Sequence, residues 1–315
     1  MDTKLLAKNL SSVQGHALAK ELLVKSLALD NMAVYLLVGP PHVGKNSIAK
    51  NIAAGVHESA DPTHPDTISF NDILLANESS SAQTSKPWKE SVDKFIRMVN
   101  LSPIASKYKV AIIEDIDRLS VAATNALLKT LEEPPGNSII ILTAQSVDGV
   151  LPTIRSRSQI IRLNYISDEE IKKYIVDQGG SQAEDMVVLS NGSVGLANRL
   201  LNDSDFLQSK LDQLDLLTTL LLGDVAKNLD LANISSREQA IDLVTGWLVL
   251  ARRLLVGKEN SFLARKIDQK YEKKDLLWLI DRLNEAYQSL SAGANPRVAL
   301  EALVLGWSWR GSRQV

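Results

Sequence analysis

The sequence contains no cysteine. Disulfides, cysteine-ligated zinc and a thiol nucleophile are excluded on that ground, and the four histidines lack the spacing of metal ligands. An excess of positive charge is missing too. A formal net charge of -2 argues against an autonomous electrostatic grip on nucleic acid, so any DNA contact calls for a local patch or a partner. No apolar run approaches the roughly 18 residues of a membrane span, and the opening "MDTKLLAKNL" lacks the long apolar core of a signal peptide. A cytoplasmic location without a membrane partner is the expectation.

What is present is ordinary for a globular protein: 315 residues, 45% hydrophobic and 23% charged, enough for two or three domains. In the first half, the runs "VYLLV" (34–38), "VAII" (110–113), "SIIIL" (138–142) and "QIIRL" (159–163) alternate with segments of helical spacing. That is the pattern of an α/β fold whose parallel sheet is covered on both faces. The polar stretch from 57 to 88 reads as a turn-rich connection with one short strand near "DTISF" and a mobile loop around "NESSSAQTSK".

After residue 164 the strand signals stop. "DEEIKKYIVDQG" and "AEDMVVLSNGSVGLANRLLN" read as a small helical region that ends near 204, at the turn residues "NDSD". Four amphipathic segments follow: "FLQSKLDQLDLLTTLLLGDVAKNL", "REQAIDLVTGWLVLARRLLVGK", "DLLWLIDRLNEAYQSL" and "PRVALEALVLGW". The last starts with Asn295 as N-cap and Pro296 at the first helical position. The expected division is therefore 1–164, 165–204 and 205–315. The basic cluster "ARKIDQKYEKKD" (264–275) interleaves acids with its lysines and reads as a solvated face.

The chemistry concentrates in a few places. "GPPHVGKN" (39–46) follows a strand and precedes a helix, and Gly39, Gly44 and Lys45 fit the phosphate-binding loop G-x-x-x-x-G-K-[ST], with Pro40 and Pro41 inside it. Asn46 stands where a hydroxyl normally ligates Mg²⁺, and Ser47 points about 100° away on the helix. The loop is left to bind ATP or ADP weakly, to bind it without productive metal, or to stand empty. "KVAIIEDIDRL" ends a buried strand in Glu114 and Asp115, the reverse of the Asp-Glu order of a hydrolysing Walker B site. Each acid is wrong by one methylene.

A helix follows, with Ser120 as N-cap, an apolar stripe at Ala123, Leu127, Leu128 and Leu131, and a stop at Pro134 and Pro135. Thr143 ends the next strand, where a polar residue can sense a terminal phosphate. In "LPTIRSRSQ" two arginines precede a strand. By spacing alone they are either surface residues or the source of an arginine finger, a guanidinium supplied across a subunit interface.

With these residues in view, the chain resembles the bacterial clamp-loader branch of the AAA+ superfamily, and most closely its delta-prime members. The likeness runs in order through "VQGHALAKELL", "LLVGPPHVGK", "HPDTISF", "NALLKTLEEPPGNSIIILTA", "LPTIRSRSQ", "NGSVGLANRLL" and "NPRVALEALVL". It implies a RecA-like core, a small helical lid and an all-α collar joining subunits into a ring. It also implies gamma/tau motor and delta subunits as partners, with the sliding clamp and primed DNA reached through the complex. The family's "SRC" motif falls on Ser156, Arg157 and Ser158, which makes Arg157 the finger.

The chain departs from the family in several places. Where bacterial members commonly carry a four-cysteine zinc module, it offers only a metal-free segment near 55–90, so no zinc is expected. In the lid, Gly195 stands at the position of a sensor arginine. Losses at Asn46, at Glu114-Asp115 and at Gly195 point to a subunit with little or no ATPase of its own and no required cofactor. An active motor subunit is the alternative, against which the chain's length also counts. Lys50 is a DNA-contact candidate by analogy only.

Overall fold

The computed structural model describes residues 2–29, 33–59, 64–80, 87–222, 234, 236–256 and 272–311. It divides into two compact units: residues 1–170 with 192–195, and residues 171–191 with 196–315.

The first unit is built on five strands: β1 (Val34–Val38), β2 (Thr67–Ser69), β3 (Lys109–Ile113), β4 (Ser138–Ala144) and β5 (Gln159–Arg162). All pair in parallel, in the order β2-β3-β4-β1-β5. The three central runs are buried at every position, because parallel strands carry helices on both faces. Side chains alternate between those faces with the two-residue period of a strand. Tyr35, Leu37, Val110, Ile112, Ile139 and Ile141 enter one apolar cluster; Val34, Leu36, Val38, Ala111, Ile113, Ile140 and Leu142 enter the other. Helices α1 (Thr3–Ser11), α2 (Ala17–Leu29) and α3 (Lys45–Val56) cover the first face. The second is covered by α4 (Phe70–Ser80), α5 (Pro87–Asn100), α6 (Val121–Glu132) and the short α7 (Pro152–Arg155).

The polar stretch from 57 to 88 holds more structure than expected. The strand near "DTISF" is present as β2, but α4 follows it directly and runs to Ser80, into the segment read as a mobile loop. The reason is a local cap: Ser69 Oγ accepts from the backbone N–H of Asp72 at 3.3 Å, an S-x-x-D start signal with its acid in the first turn. Residues 81–86 of that expected loop lie outside the described residues.

Helices α8 (Asp168–Asp177), α9 (Ala183–Ser190) and α10 (Val194–Asn202) follow. The segment read as one helical run from 183 to 202 is two helices, because Asn191 takes a left-handed conformation at φ 47° and caps α9. Beyond it, α11 (Ser204–Leu222), α12 (Arg237–Leu255), α13 (Lys273–Ser291) and α14 (Pro296–Gly311) pack around the fully buried Trp247, with Leu217, Leu243, Leu279, Leu283 and Val304 in the same cluster. The Trp247 indole N–H donates to the Gln213 carbonyl at 2.8 Å, so its one polar atom is satisfied. As expected, Asn295 caps α14, accepting from the N–H groups of Arg297 and Val298. Residues 223–229 of the first amphipathic segment and 264–271 of the basic cluster lie outside the described residues. Among the described residues no helix is long and apolar enough to cross a membrane.

Candidate functional site

The strand order places the carboxyl ends of β1, β3 and β4 side by side, with the β1–β3 crossover leaving room for β4 between them. A crevice at the carboxyl ends of a parallel sheet is where α/β proteins hold their ligands. A cavity of about 530 Å³ lies there, lined by Pro41, His42, Gly44, Lys45, Asn46, Ser47, Asp115, Arg118, Gln145 and Gly195. Three of these were not singled out in the sequence, since His42, Arg118 and Gln145 carry no recognisable spacing; Ser47 is set aside by its direction.

Gly44 is the N-cap of α3 at φ 103°, a conformation that favours glycine and turns the following N–H groups toward the cavity. Lys45 does not reach into open space. It is buried, and its ammonium donates to the carbonyls of Gly39 at 2.7 Å and Pro40 at 2.8 Å. Burial pulls its pKa below the ordinary lysine value, with Asp115 and Asp117 opposing that pull.

The loop is also held from outside. The His42 carbonyl, at a residue of φ 61°, accepts from the N–H of Gly195 at 2.8 Å and from Ser193 Oγ at 2.9 Å. Contact here is so close that a Cβ on residue 195 would stand 2.7 Å from the His42 oxygen. Position 195 is thus occupied by the one residue type that permits this approach.

The acids behind the loop are Glu114 and Asp115, at the end of β3. Glu114 accepts a hydrogen bond from the Asn71 side chain at 3.0 Å. Burial raises its pKa; Lys50 and Asn46 counter the rise, while Asp115 and Asp72 add to it. Asp115 stands in the left-handed region at φ 47°, its carboxylate 3.6 Å from Arg118 and its N–H donating to Thr143 Oγ1 at 2.9 Å. Thr143 is fully buried, and the residue two positions on, Gln145, lines the cavity instead.

A phosphate group fits the cavity, with the α3 amino end and two cations around it. A magnesium ion does not fit the donors equally well: Asn46 offers an amide oxygen in place of a hydroxyl, and Mg²⁺ demands a near-octahedral set of oxygens. Among the described residues no group of three or more histidine, aspartate or glutamate side chains is placed to hold a metal ion.

Arg157 is not among the residues lining this cavity. It lies just before β5, beyond the strand's amino end, whereas the loop leaves the carboxyl end of β1. The two strands run parallel, with Tyr35 opposite Gln159 and Val38 opposite Arg162. A strand of five residues separates the two ends by about 16 Å. The turn that carries Arg157 is tight. Its N–H donates to the Ile154 carbonyl at 3.1 Å, and the hydroxyl of Ser158, a buried residue, donates to the same carbonyl at 2.8 Å.

Known proteins resemble this chain in sequence and in fold. The family described as "DNA polymerase III, delta subunit" matches residues 15–167. DNA polymerase III subunit tau of Bacillus subtilis is 28% identical over 86% of this chain and 56% of its own length. DNA polymerase III subunit delta' of Pseudomonas aeruginosa is 30% identical over 53% of this chain and 55% of its own. The chain spans about half the length of the curated relatives it matches. A crystal structure of a DNA polymerase III gamma subunit-related protein from Thermotoga maritima superimposes with a TM-score of 0.51, at 15% identity, over 92% of this chain and 99% of that one. That likeness shows the AAA+ fold alone.

Proposed function

We propose that this chain is a delta-prime-like stator of a DNA polymerase III clamp loader, a replication role supported by its similarity to DNA polymerase III subunits delta, tau and delta'. In this reading it completes the loader ring and supplies Arg157 to the ATP site of a neighbouring gamma/tau motor subunit, with delta as a further partner. The sliding clamp and primed DNA are reached through the assembled complex. Residues 1–164 form the AAA+ core, 165–204 the lid and 205–315 the collar through which subunits join.

The observation that carries the proposal is the placement of Arg157 at the amino end of β5, on the far side of the sheet from the chain's own loop. A guanidinium there serves a site on another molecule. The state of the home site supports the same reading: Lys45 folded onto its loop, His42 held by Ser193 and Gly195, and Asn46 standing in place of a hydroxyl. A subunit of this kind hydrolyses little or no ATP itself and needs no cofactor for its role, with weak ATP or ADP binding still open to it. A trans finger is worth about 10³ to 10⁵ in rate, or roughly 4 to 7 kcal/mol of barrier.

A second reading, an active motor subunit, draws support from the retained Lys45 and a cavity of about 530 Å³. One experiment separates the two: DNA- and clamp-stimulated ATPase of a loader reconstituted from the organism's motor and delta subunits with this chain. Arg157→Ala lowers turnover ten-fold or more with assembly intact, and Lys45→Ala leaves it unchanged. Unchanged turnover with Arg157→Ala refutes the finger, and loss of turnover with Lys45→Ala favours the motor reading.

A further inference from the structure

The block "NALLKTLEEPP" carries two glutamates whose role the proposed function leaves unassigned. Glu132 is the last residue of α6, and Glu133, then Pro134 and Pro135, end the helix. A carboxylate in the last turn faces the negative end of the helix dipole and is locally unfavourable. Its partner accounts for its presence. Glu132 Oε1 is 3.0 Å from Arg157 Nη2.

The other side of the guanidinium is held as well: Arg157 Nη1 donates to the Thr153 carbonyl at 3.0 Å and, at 3.4 Å, to Ser156 Oγ. Two of its nitrogens are therefore anchored, one by the helix that returns from β3 and one by the turn before β5. A guanidinium carries five N–H donors in one plane, so Nε–H and the second Nη2 proton stay available to an incoming anion.

We propose that Glu132 is a positioning residue that presents Arg157, already oriented, to the terminal phosphate of a nucleoside triphosphate bound by another subunit; this rests on the trans-finger reading above. Glu132 has two opposed effects on the finger. It offsets part of the arginine's charge, and it restricts a side chain with more rotamer freedom than most. Both side chains are about 40% exposed, 39% for Arg157 and 42% for Glu132, so water screens the charge effect while the geometric restraint remains. Orientation is the larger effect, since misplacement of a reacting group by about 1 Å can cost 10²-fold in rate.

The test is kcat and KM for ATP in the reconstituted loader, stimulated by clamp and primed DNA, with Glu132→Ala, Glu132→Gln, Arg157→Ala and the double variant Glu132→Ala/Arg157→Ala. Glu132→Ala is expected to lower kcat about five- to ten-fold with KM unchanged. Glu132→Gln, which keeps an acceptor for Nη2, recovers part of the loss. The double variant turns over no more slowly than Arg157→Ala alone, because both changes remove one function. A fold made less stable is not the expected cause, as alanine is the better residue at a helix end. Size-exclusion chromatography and thermal melting check assembly and folding.

Wild-type or faster turnover by Glu132→Ala overturns the proposal, as does a double variant slower than Arg157→Ala. In both cases a fall with Arg157→Ala itself leaves the finger standing. If Arg157→Ala is without effect, the finger reading fails and takes this inference with it.

Discussion

Replacing Gly195 by alanine sets two effects against each other. Alanine is the better helix former, worth about 1 kcal/mol in a helix interior and less here, since Gly195 is the second residue of α10. Opposing this, the new Cβ would lie 2.7 Å from the His42 carbonyl oxygen and 3.1 Å from His42 Cβ. The oxygen belongs to a backbone that cannot swing aside as a side-chain tip does. Moving the two apart loses the hydrogen bond from Gly195 N–H, worth about 0.5–1.5 kcal/mol net, and overpacking of a close contact costs about 1–3 kcal/mol. The clash wins, by about 1–2 kcal/mol. Urea unfolding followed by far-ultraviolet circular dichroism measures it, with Gly136→Ala as the control, because a Cβ there meets nothing within 4 Å. Hydrogen exchange at the 195 amide, protected in the wild type by its bond to His42, accelerates in step. A Gly195→Ala protein as stable as the wild type, with exchange unchanged, would show that the loop is not held in this way.

Two stability predictions concern the segment after α3. Asp66 is fully buried and accepts three backbone hydrogen bonds, from Ile104 at 2.7 Å and from Ala105 and Ser106 at 2.8 Å; Asp66→Ala leaves those donors unpaired and costs about 3–5 kcal/mol in a urea titration. Burial pushes the carboxyl's pKa up, but these donors and His64 outweigh it and hold it below the usual value, so its contribution is present at neutral pH and lost as pH falls through the lowered value. His57 stacks on His64 with ring centroids 4.0 Å apart, and burial followed by the His64 charge, against Asp66, lowers its pKa from 6.5 to about 4. The unfolded chain takes up that proton first, so stability is full above about pH 6.5 and declines toward pH 4, by about 3 kcal/mol at 1.36 kcal/mol per pH unit. His57→Gln flattens this slope; an unaltered slope places the titration elsewhere.

What could be read from the residues was what local chemistry writes locally. The central strands were legible because a parallel strand buried on both faces must be apolar throughout, and β1 occupies the run "VYLLV" residue for residue. Ser120 and Asn295 were legible as caps because a cap is a side chain answering its own backbone three residues on. Helix α4 was missed although it carries the same kind of signal at Ser69, since "NESSS" weakens the helical pattern that should follow. At the site, Lys45 and Gly44 announced themselves by spacing. The hold of Ser193 on His42 joins residues 151 positions apart, and no window of sequence contains it. Glu132 and Arg157 are likewise brought together only by the return of α6 to the edge of the sheet.

The parallel sheet gives that pair its meaning. Every strand delivers its carboxyl end to one side, where Asn46, Glu114, Asp115 and Gly195 gather. Helices carry the chain back to the other side, so α6 ends there with Glu132 and the turn before β5 begins there with Arg157. The length of a strand, about 16 Å, exceeds the roughly 7–10 Å beyond which substitutions act independently. Substitutions in the home loop are therefore expected to leave the Glu132–Arg157 pair undisturbed. The same separation predicts that Gly195→Ala and Arg157→Ala act additively on complex turnover. Coupling between them would mean that the state of the chain's own loop is transmitted across the sheet.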